Sequence, residues 1–212
     1  MILELILIIA SILVFLLIIF VLFWQLYFLR NPKRTAPKGN NLVSPADGKI
    51  AFIKEFSELN KLVHKKHKNK VTTLLSDVAK SGYAILIVMT PFDVHYQRAP
   101  IKGAVKNIKY SKGSFLNAVK NPEKFDTIQN EKNEILFKSE IGSVKVVQIA
   151  GVLARRINCF VKQQQTVNKG KLIGLINLGS QVLLVFPKKK NLKIKVKKNQ
   201  RVMSGETVIA KY

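Results

Sequence analysis

The sequence predicts a mainly β protein with minor helix, preceded by one transmembrane helix. A long apolar run occupies the N-terminus, and short β-branched runs separated by Gly, Pro or Asn follow it. All 36 Lys and Arg residues lie at position 30 or later. With 212 residues, 48% of them hydrophobic, and a formal charge of +24, the chain is too apolar to be a disordered polybasic tail.

The N-terminal run predicts a membrane anchor. Between Leu5 and Leu29, Ser11 and Gln25 are the only polar residues apart from the aromatic ones, and a helix needs only ~20 residues to cross a bilayer core. A cleavable signal peptide is the alternative, but the run is too long and no small-residue cleavage pattern follows it. Basic residues follow the run directly. The positive-inside rule therefore predicts a single-pass cell-membrane protein with a cytoplasmic body.

The remainder divides into a basic linker over residues 30–41 and one domain over residues 42–212. The densest basic run, Lys188–Arg201, comes with neither a zinc-finger spacing nor a helix-turn-helix pattern, so we expect no nucleic-acid partner. Attraction to an anionic membrane surface is the expected role of this charge. The single cysteine, Cys159, excludes an intrachain disulfide and a Cys-rich zinc site, and we expect no metal.

Nine short runs predict the strands of the body, which we expect to form a barrel or sandwich. Leu59–Lys80 is lysine-rich and weakly periodic, and it is either a helix or an irregular excursion. The nine predicted strands are Lys49–Lys54, Tyr83–Thr90, Val105–Tyr110, Glu134–Lys138, Val144–Ile149, Leu172–Ile176, Val182–Phe186, Leu192–Val196 and Thr207–Lys211.

A short repeat near the C-terminus predicts two related structural units. The pattern Val167-x-x-Gly170-x-x-Ile173 recurs 35 positions later as Val202-x-x-Gly205-x-x-Val208. Paired hairpins of this kind form the small barrel of biotin- and lipoyl-carrier domains, so we expect a lipoyl-like hairpin pair at this end. Two copies of so short a pattern also arise by chance.

Three segments could carry chemistry. Ser44–Gly48 is a turn leading into a strand, and taken alone it is better explained by plain turn chemistry. Thr90–Pro100 follows an apolar strand and brings together Asp93, His95 and Arg98, as loops that carry catalytic groups do, although His95 could also be structural. Leu178–Gln181 lies between two apolar runs, and its Gly-Ser pair is by itself an ordinary turn.

Together with two further segments, these three resemble the phosphatidylserine decarboxylase family, in the short form found in many archaea and bacteria. The resemblance runs from Leu42 to the C-terminus, and the fold it implies is rich in strands with a barrel-like C-terminal part. The five segments, in family-like order and spacing, are Ser44–Gly48, Thr90–Pro100, Lys112–Ala118, Asn130–Asn133 and Leu178–Gln181.

The resemblance implies a self-made pyruvoyl cofactor. The Ser180 hydroxyl would attack the Gly179 carbonyl to form an ester, and elimination would convert Ser180 into the pyruvoyl group. The chain would then consist of a larger fragment, 1–179, and a smaller one, 180–212, which remain partners. Gly179 suits this step because it lacks the Cβ that resists distortion of the peptide.

The resemblance also implies roles for three further residues. His95 would act as the base in self-cleavage and as the proton donor in decarboxylation, with Asp47 orienting it or holding its charge. Arg98 would bind the carboxylate or phosphate of the substrate, although a surface ion pair explains it as well. The long form has a second His where this chain has Arg98, and a Thr or Ser where it has Gln181.

The function implied is decarboxylation of phosphatidylserine, or of an archaeal serine ether lipid, to the ethanolamine phospholipid. A substrate Schiff base with the pyruvoyl carbonyl would take up the electrons released with CO₂. The alternative is a membrane-anchored lipoyl-like carrier or adaptor without enzymatic activity. A carrier would present one Lys at a hairpin tip, whereas this chain has the undifferentiated run Lys188–Lys190, and it has no coiled-coil heptads typical of an adaptor.

Overall fold

The computed structural model describes residues 1–57, 75–114, 116, 126–151, 157–177 and 180–212. The chain divides into two compact units, Met1–Pro32 and Lys33–Tyr212. Leu178, Gly179 and most of the predicted excursion Leu59–Lys80 lie outside the described residues.

The first unit is an apolar helix. Helix α1 covers Ile2–Leu22 and continues as a π-helical segment over Phe23–Phe28. Together they form a 27-residue helix with a mean hydropathy of 3.6, which is long and apolar enough to cross a membrane. The prediction of one apolar N-terminal helix is confirmed.

The second unit is mainly β, as predicted, and each of the nine predicted strands overlaps an observed one. The five strands that the sequence did not predict, β1, β4, β8, β9 and β13, have only two or three residues each. In chain order the strands are β1 Asn41–Val43, β2 Gly48–Phe56, β3 Gly82–Met89, β4 Tyr96–Arg98, β5 Gly103–Ser111, β6 Lys132–Ser139, β7 Gly142–Ile149, β8 Ile157–Cys159, β9 Thr166–Val167, β10 Leu172–Ile176, β11 Ser180–Pro187, β12 Lys193–Ile194, β13 Arg201–Val202 and β14 Val208–Lys211. A 3₁₀ helix, Asp126–Gln129, precedes β6.

An eight-stranded antiparallel sheet forms the centre of this unit, in the order β13-β2-β3-β11-β7-β6-β5-β9. Strand β11 lies inside the sheet, and all eight of its residues pair with β3 and are buried. Its side chains alternate between two cores, with Val182 and Leu184 in one and Leu183 and Val185 in the other. A continuously apolar strand is therefore what this position requires.

Two three-stranded sheets, β1-β14-β12 and β4-β10-β8, contribute side chains to the same core as Val182. The predicted repeat links them to the large sheet, because its two copies connect β9 to β10 and β13 to β14. The repeat glycines Gly170 and Gly205 have φ angles of +83° and +77°, and a Cβ on Gly205 would lie 3.6 Å from the Cα of Gly170. The two copies therefore form equivalent turns that pack together.

Candidate active site

The turn Ser44–Gly48, strand β4 and the C-terminal turn at Ser204 and Gly205 are joined by backbone hydrogen bonds. The Arg98 amide donates to the Pro45 carbonyl at 2.9 Å, and the Gly205 amide donates to the Ser44 carbonyl at 2.8 Å. Two of the segments that the sequence singled out are therefore neighbours in the structure. The third segment is represented by Ser180 and Gln181 at the start of β11.

Asp47 lies between the linker and the C-terminal turn. Its Oδ1 accepts a 2.7 Å hydrogen bond from the Ser204 amide, and its Oδ2 accepts one of 2.9 Å from Nη2 of Arg34. The side chain is almost fully buried. Burial raises the pKa of Asp47 above its usual value, and the hydrogen bond from Ser204 and the charge of Arg34 oppose that rise only in part.

His95 immediately precedes β4 and is fully buried. Its Nδ1 lies 2.8 Å from the Asp93 carbonyl oxygen. A carbonyl oxygen only accepts, so Nδ1 carries the proton, and in the neutral ring Nε2 is the basic nitrogen. This is the tautomer that a general base at Nε2 requires.

Asp93 fixes the loop in which His95 lies. Its Oδ2 accepts hydrogen bonds of 2.8 Å from both the amide and the hydroxyl of Thr90, and its Oδ1 pairs with Arg201. The His95 carbonyl accepts from the amide of Ile176 at 3.3 Å, which ties the loop to β10. Hydrogen bonds therefore hold both the backbone of His95 and the Nδ1 side of its ring.

Arg98 packs against the two repeat turns. Its Nη1 donates to the Gly170 carbonyl at 3.1 Å, and a Cβ on Gly205 would lie 2.8 Å from its Cδ. Burial lowers the pKa of the Arg98 guanidinium, the charge of Arg34 lowers it further, and Asp47 and Glu206 oppose the change. Arg98 thus lies near three charged groups, the positive Arg34 and the negative Asp47 and Glu206.

Ser180 is the first residue of β11 and is fully buried. Its Oγ lies 3.5 Å from the Sδ of Met89, its partner in the strand register. Strand β10 ends at Ile176, which contacts the His95 carbonyl, and four residues of chain span at most about 14 Å. Ser180 therefore lies within about 14 Å of Ile176, whose amide binds the His95 carbonyl.

Two comparisons with known proteins bear on identity. The family model described as phosphatidylserine decarboxylase matches residues 22–210. The chain belongs to the phosphatidylserine decarboxylase family. It is 39% identical over 191 residues to a protein of Methanocaldococcus jannaschii described as "Putative archaetidylserine decarboxylase proenzyme", covering 89% of this chain and 90% of the relative.

Membership of the phosphatidylserine decarboxylase family confirms the resemblance seen in the sequence and identifies the protein as an enzyme of the decarboxylase class. In the part of the chain that the structure describes, no group of three or more His, Cys, Asp or Glu side chains could hold a metal ion.

Sequence reasoning missed the residues that surround the candidate site. Arg34 was read as part of a basic linker, yet its side chain pairs with Asp47 and, at 2.7 Å, with Glu206. Gln97 and Gln148 form a buried hydrogen bond near His95. The one available signal was an uncharged polar residue within an apolar strand, as at Gln148 in β7.

Proposed function

We propose that this protein decarboxylates phosphatidylserine, or its archaeal ether-linked counterpart archaetidylserine, to the ethanolamine phospholipid. The proposal includes self-cleavage between Gly179 and Ser180 and a pyruvoyl group made from Ser180. Family membership and the word "proenzyme" in the name of the relative support it. The structural observation that carries it is the burial of Ser180 at the first residue of a central strand, close along the chain to Ile176, whose amide binds the His95 carbonyl.

The surroundings of Ser180 fit such a group. The Ser180 hydroxyl contacts the sulfur of Met89, which is a weak acceptor and does not tie the oxygen down as a carboxylate would. The site is shielded from water, which protects a reactive carbonyl from side reactions. When present, a pyruvoyl group would supply the electron sink for loss of CO₂.

The self-cleavage step is balanced without any oxidant. Ser180 Oγ bonds to the Gly179 carbonyl carbon while its proton passes to Nε2 of His95, and the Gly179–Ser180 C–N bond breaks to leave an ester and a free amine. Loss of the α-proton of residue 180 then breaks the ester C–O bond and leaves a carboxylate on Gly179. The enamine left at residue 180 would tautomerise to an imine, and water would add to the imine carbon as the C–N bond breaks, so that ammonia leaves and a ketone remains.

The chain's own residues would then serve decarboxylation. The Nε2 proton of His95 would be delivered to the carbon that loses CO₂. Arg98 would bind an anionic group of the substrate, since a guanidinium matches a carboxylate or phosphate. Since the Asp93 carbonyl already engages Nδ1 of His95, the role left for Asp47 is to balance the charge of the ring, and the bonds from Arg34 and Ser204 hold Asp47 in a fixed position.

The two proposed fragments would remain associated. The fragment 180–212 contributes β11, which pairs with β3 and β7 inside the large sheet, and also β12, β13 and β14. The Arg34–Glu206 and Arg201–Asp93 ion pairs join it to the larger fragment. We therefore expect the two fragments to form a heterodimer that separates only on unfolding.

We propose a cell-membrane location for the enzyme, with residues 1–29 as a single-pass anchor, 30–41 as a linker and 42–212 as the cytoplasmic catalytic domain. The apolar helix is long enough to span, and the exposed lysines Lys188–Lys190 would attract an anionic leaflet. A lipid substrate stays in the bilayer, so an anchored enzyme meets it by two-dimensional diffusion.

Intact mass measurement of the purified full chain tests the proposal. Two fragments split between Gly179 and Ser180 are expected, and Ser180→Ala should leave one uncut chain, whereas the control Ser143→Ala should cleave normally. CO₂ release from vesicles of phosphatidylserine or archaetidylserine then identifies the lipid. A wild-type chain that stays whole and inactive on both lipids would refute the proposal and favour a lipoyl-like carrier or adaptor.

A further inference from the structure

Three buried amide side chains form a continuous hydrogen-bonded row that ends at His95. Nδ2 of Asn133 donates to Oε1 of Gln148 at 2.9 Å, and Nε2 of Gln148 donates to Oε1 of Gln97 at 2.8 Å. Nε2 of Gln97 then donates to the backbone carbonyl of His95 at 2.7 Å. We call Asn133, Gln148 and Gln97 the amide row.

The amide row is oriented in one direction, since every NH₂ group points toward His95. Gln97 and Gln148 are fully buried, and Asn133 is 3% exposed. A buried amide without partners is costly, so the row is stable only when each member satisfies the next. Apolar side chains of similar size would fill this space without that requirement. The arrangement therefore calls for a role other than packing.

The backbone leaves room for the amide row at Gly174 of β10. A Cβ at this position would overlap Nε2 of Gln148 and would lie 2.6 Å from the carbonyl oxygen of Asn158. Gly174 also pairs with Gln97 in the register of β10 and β4. Glycine is the residue that allows so close an approach of the side-chain amide to the strand.

The amide row also reaches the surroundings of Ser180. Nε2 of Gln97 lies 3.8 Å from the Sδ of Met89, and Oγ of Ser180 lies 3.5 Å from the same sulfur. The His95 carbonyl accepts from both Gln97 and the Ile176 amide, so its two lone pairs are engaged and its peptide plane is fixed.

We propose that Gln97 and Gln148 are positioning residues for self-cleavage, acting through His95. This inference rests on the proposed function, in which His95 takes the proton of Ser180. By fixing the peptide of His95, the amide row holds the imidazole at one distance from the Ser180 hydroxyl. Proton transfer depends steeply on that distance.

Cleavage of the freshly synthesised full chain in detergent micelles is the first measurement. Gln97→Leu and Gln148→Leu should each slow fragment formation by about 10- to 100-fold, since a misplacement of about 1 Å at the reacting group can cost about 100-fold. Val147→Ala is the matched control, because Val147 is the buried neighbour of Gln148 in the chain and packs in the core that contains Leu183 and Val185. It should lose stability and still cleave at the wild-type rate.

The pH dependence of cleavage in Gln97→Glu distinguishes a positioning role from a packing role, because a packing role would not change that dependence. A protonated carboxyl can still donate to the His95 carbonyl and accept from Gln148, whereas a carboxylate only accepts and repels that carbonyl. Cleavage by this variant should therefore approach the wild-type rate at acidic pH and fall below it as pH rises. A ratio to wild type that is low and constant across pH, including acidic pH, would overturn the proposal.

The ring resonances of His95, followed by NMR in the uncut Ser180→Ala chain, supply a readout that needs no cleavage. Adding Gln97→Leu should shift them, and adding Val147→Ala should not. Wild-type cleavage in Gln97→Leu together with unshifted His95 resonances would overturn the inference and leave the proposed function standing. If the wild-type chain never cleaves, the proposed function fails, while the resonances still report whether the amide row positions His95.

Discussion

Arg34 and Asp47 form a nearly buried ion pair, in which Nη2 of Arg34 donates to Oδ2 of Asp47 at 2.9 Å. The same guanidinium donates through Nη1 to Glu206 at 2.7 Å, and its side chain is only 10% exposed. One residue of the segment after the apolar helix therefore joins the turn Ser44–Gly48 to the C-terminal turn. The predicted linker is fixed to the candidate site at this point.

Replacing Arg34 by Gln should destabilise the body by about 2–4 kcal/mol, because it leaves two carboxylates without their charged partner, one of them nearly buried. Urea unfolding in micelles measures the loss. Lys33→Gln is the control from the same segment, at an exposed position, and should change stability by less than about 0.5 kcal/mol. Equal midpoints for the two variants would show that the ion pair contributes nothing.

The two carboxylates that share Arg34 should have opposite effects on acid stability. The hydrogen bond from Arg34 lowers the pKa of Glu206 below 4.5, so its contribution is present above that pH and is lost as pH falls. Burial raises the pKa of Asp47 above 3.8, so the folded protein holds that proton more tightly. The stability that Asp47 contributes is therefore lost as pH rises from 3.8 through the raised pKa of Asp47.

Unfolding free energy measured against pH in two variants tests these signs. Glu206→Gln should flatten the dependence of the unfolding free energy on pH below pH 4.5. The ionised Glu206 carboxylate, whose stabilising contribution is lost there in the wild type, is then absent. Asp47→Asn should make the curve rise more steeply above pH 3.8. Changes in the reverse sense would mean that the causes of the two pKa displacements are misassigned.

The sequence predicted the long strands because apolar, β-branched runs carry their own signal. Leu172–Ile176 was predicted with the boundaries that β10 has. Strands such as β4 and β13 have three and two residues, too few for any alternation to be visible, and they exist because longer neighbours pair with them.

The site was predictable only where its residues cluster in the chain. Asp47, His95 and Ser180 were singled out from short segments that resemble the family. Arg34 lies 172 positions from Glu206, and Gln97 lies 51 positions from Gln148, so no local pattern connects these partners. Only the tertiary fold brings such residues together, since Gln97 and Gln148 lie in strands of different sheets.

Gly174 should tolerate no side chain, because Nε2 of Gln148 overlaps the position that a Cβ would take. Gly174→Ala should destabilise the fold by about 1–3 kcal/mol, the usual cost of overpacking a core, and should slow fragment formation as Gln148→Leu does. Combining Gly174→Ala with Gln148→Ala tests whether the Gln148 side chain causes this cost. In a Gln148→Ala background the added methyl group has room on the Gln148 side, so its cost should fall, and an undiminished cost would assign the clash to Asn158 alone.

Lys145 tests whether burial of charge stabilises this fold at all. Its side chain is 1% exposed, and Nζ lies 2.9 Å from Oε2 of Glu134 and 2.7 Å from Oδ1 of Asp77. Lys145→Met should cost about 3–5 kcal/mol, because it strands the nearly buried carboxylate of Glu134.

Replacing Glu134 as well removes the stranded charge. The double variant Lys145→Met, Glu134→Leu should therefore recover to within about 1 kcal/mol of wild type, since the energy that a buried pair gains is largely spent on removing both charges from water. Asp77 is 43% exposed and keeps its hydration when its partner is lost, so it needs no compensating change. Urea midpoints for the wild type, both single variants and the double variant complete the cycle. A double variant as unstable as Lys145→Met would mean that the ion pair, through its link to Asp77, makes a net contribution to the fold.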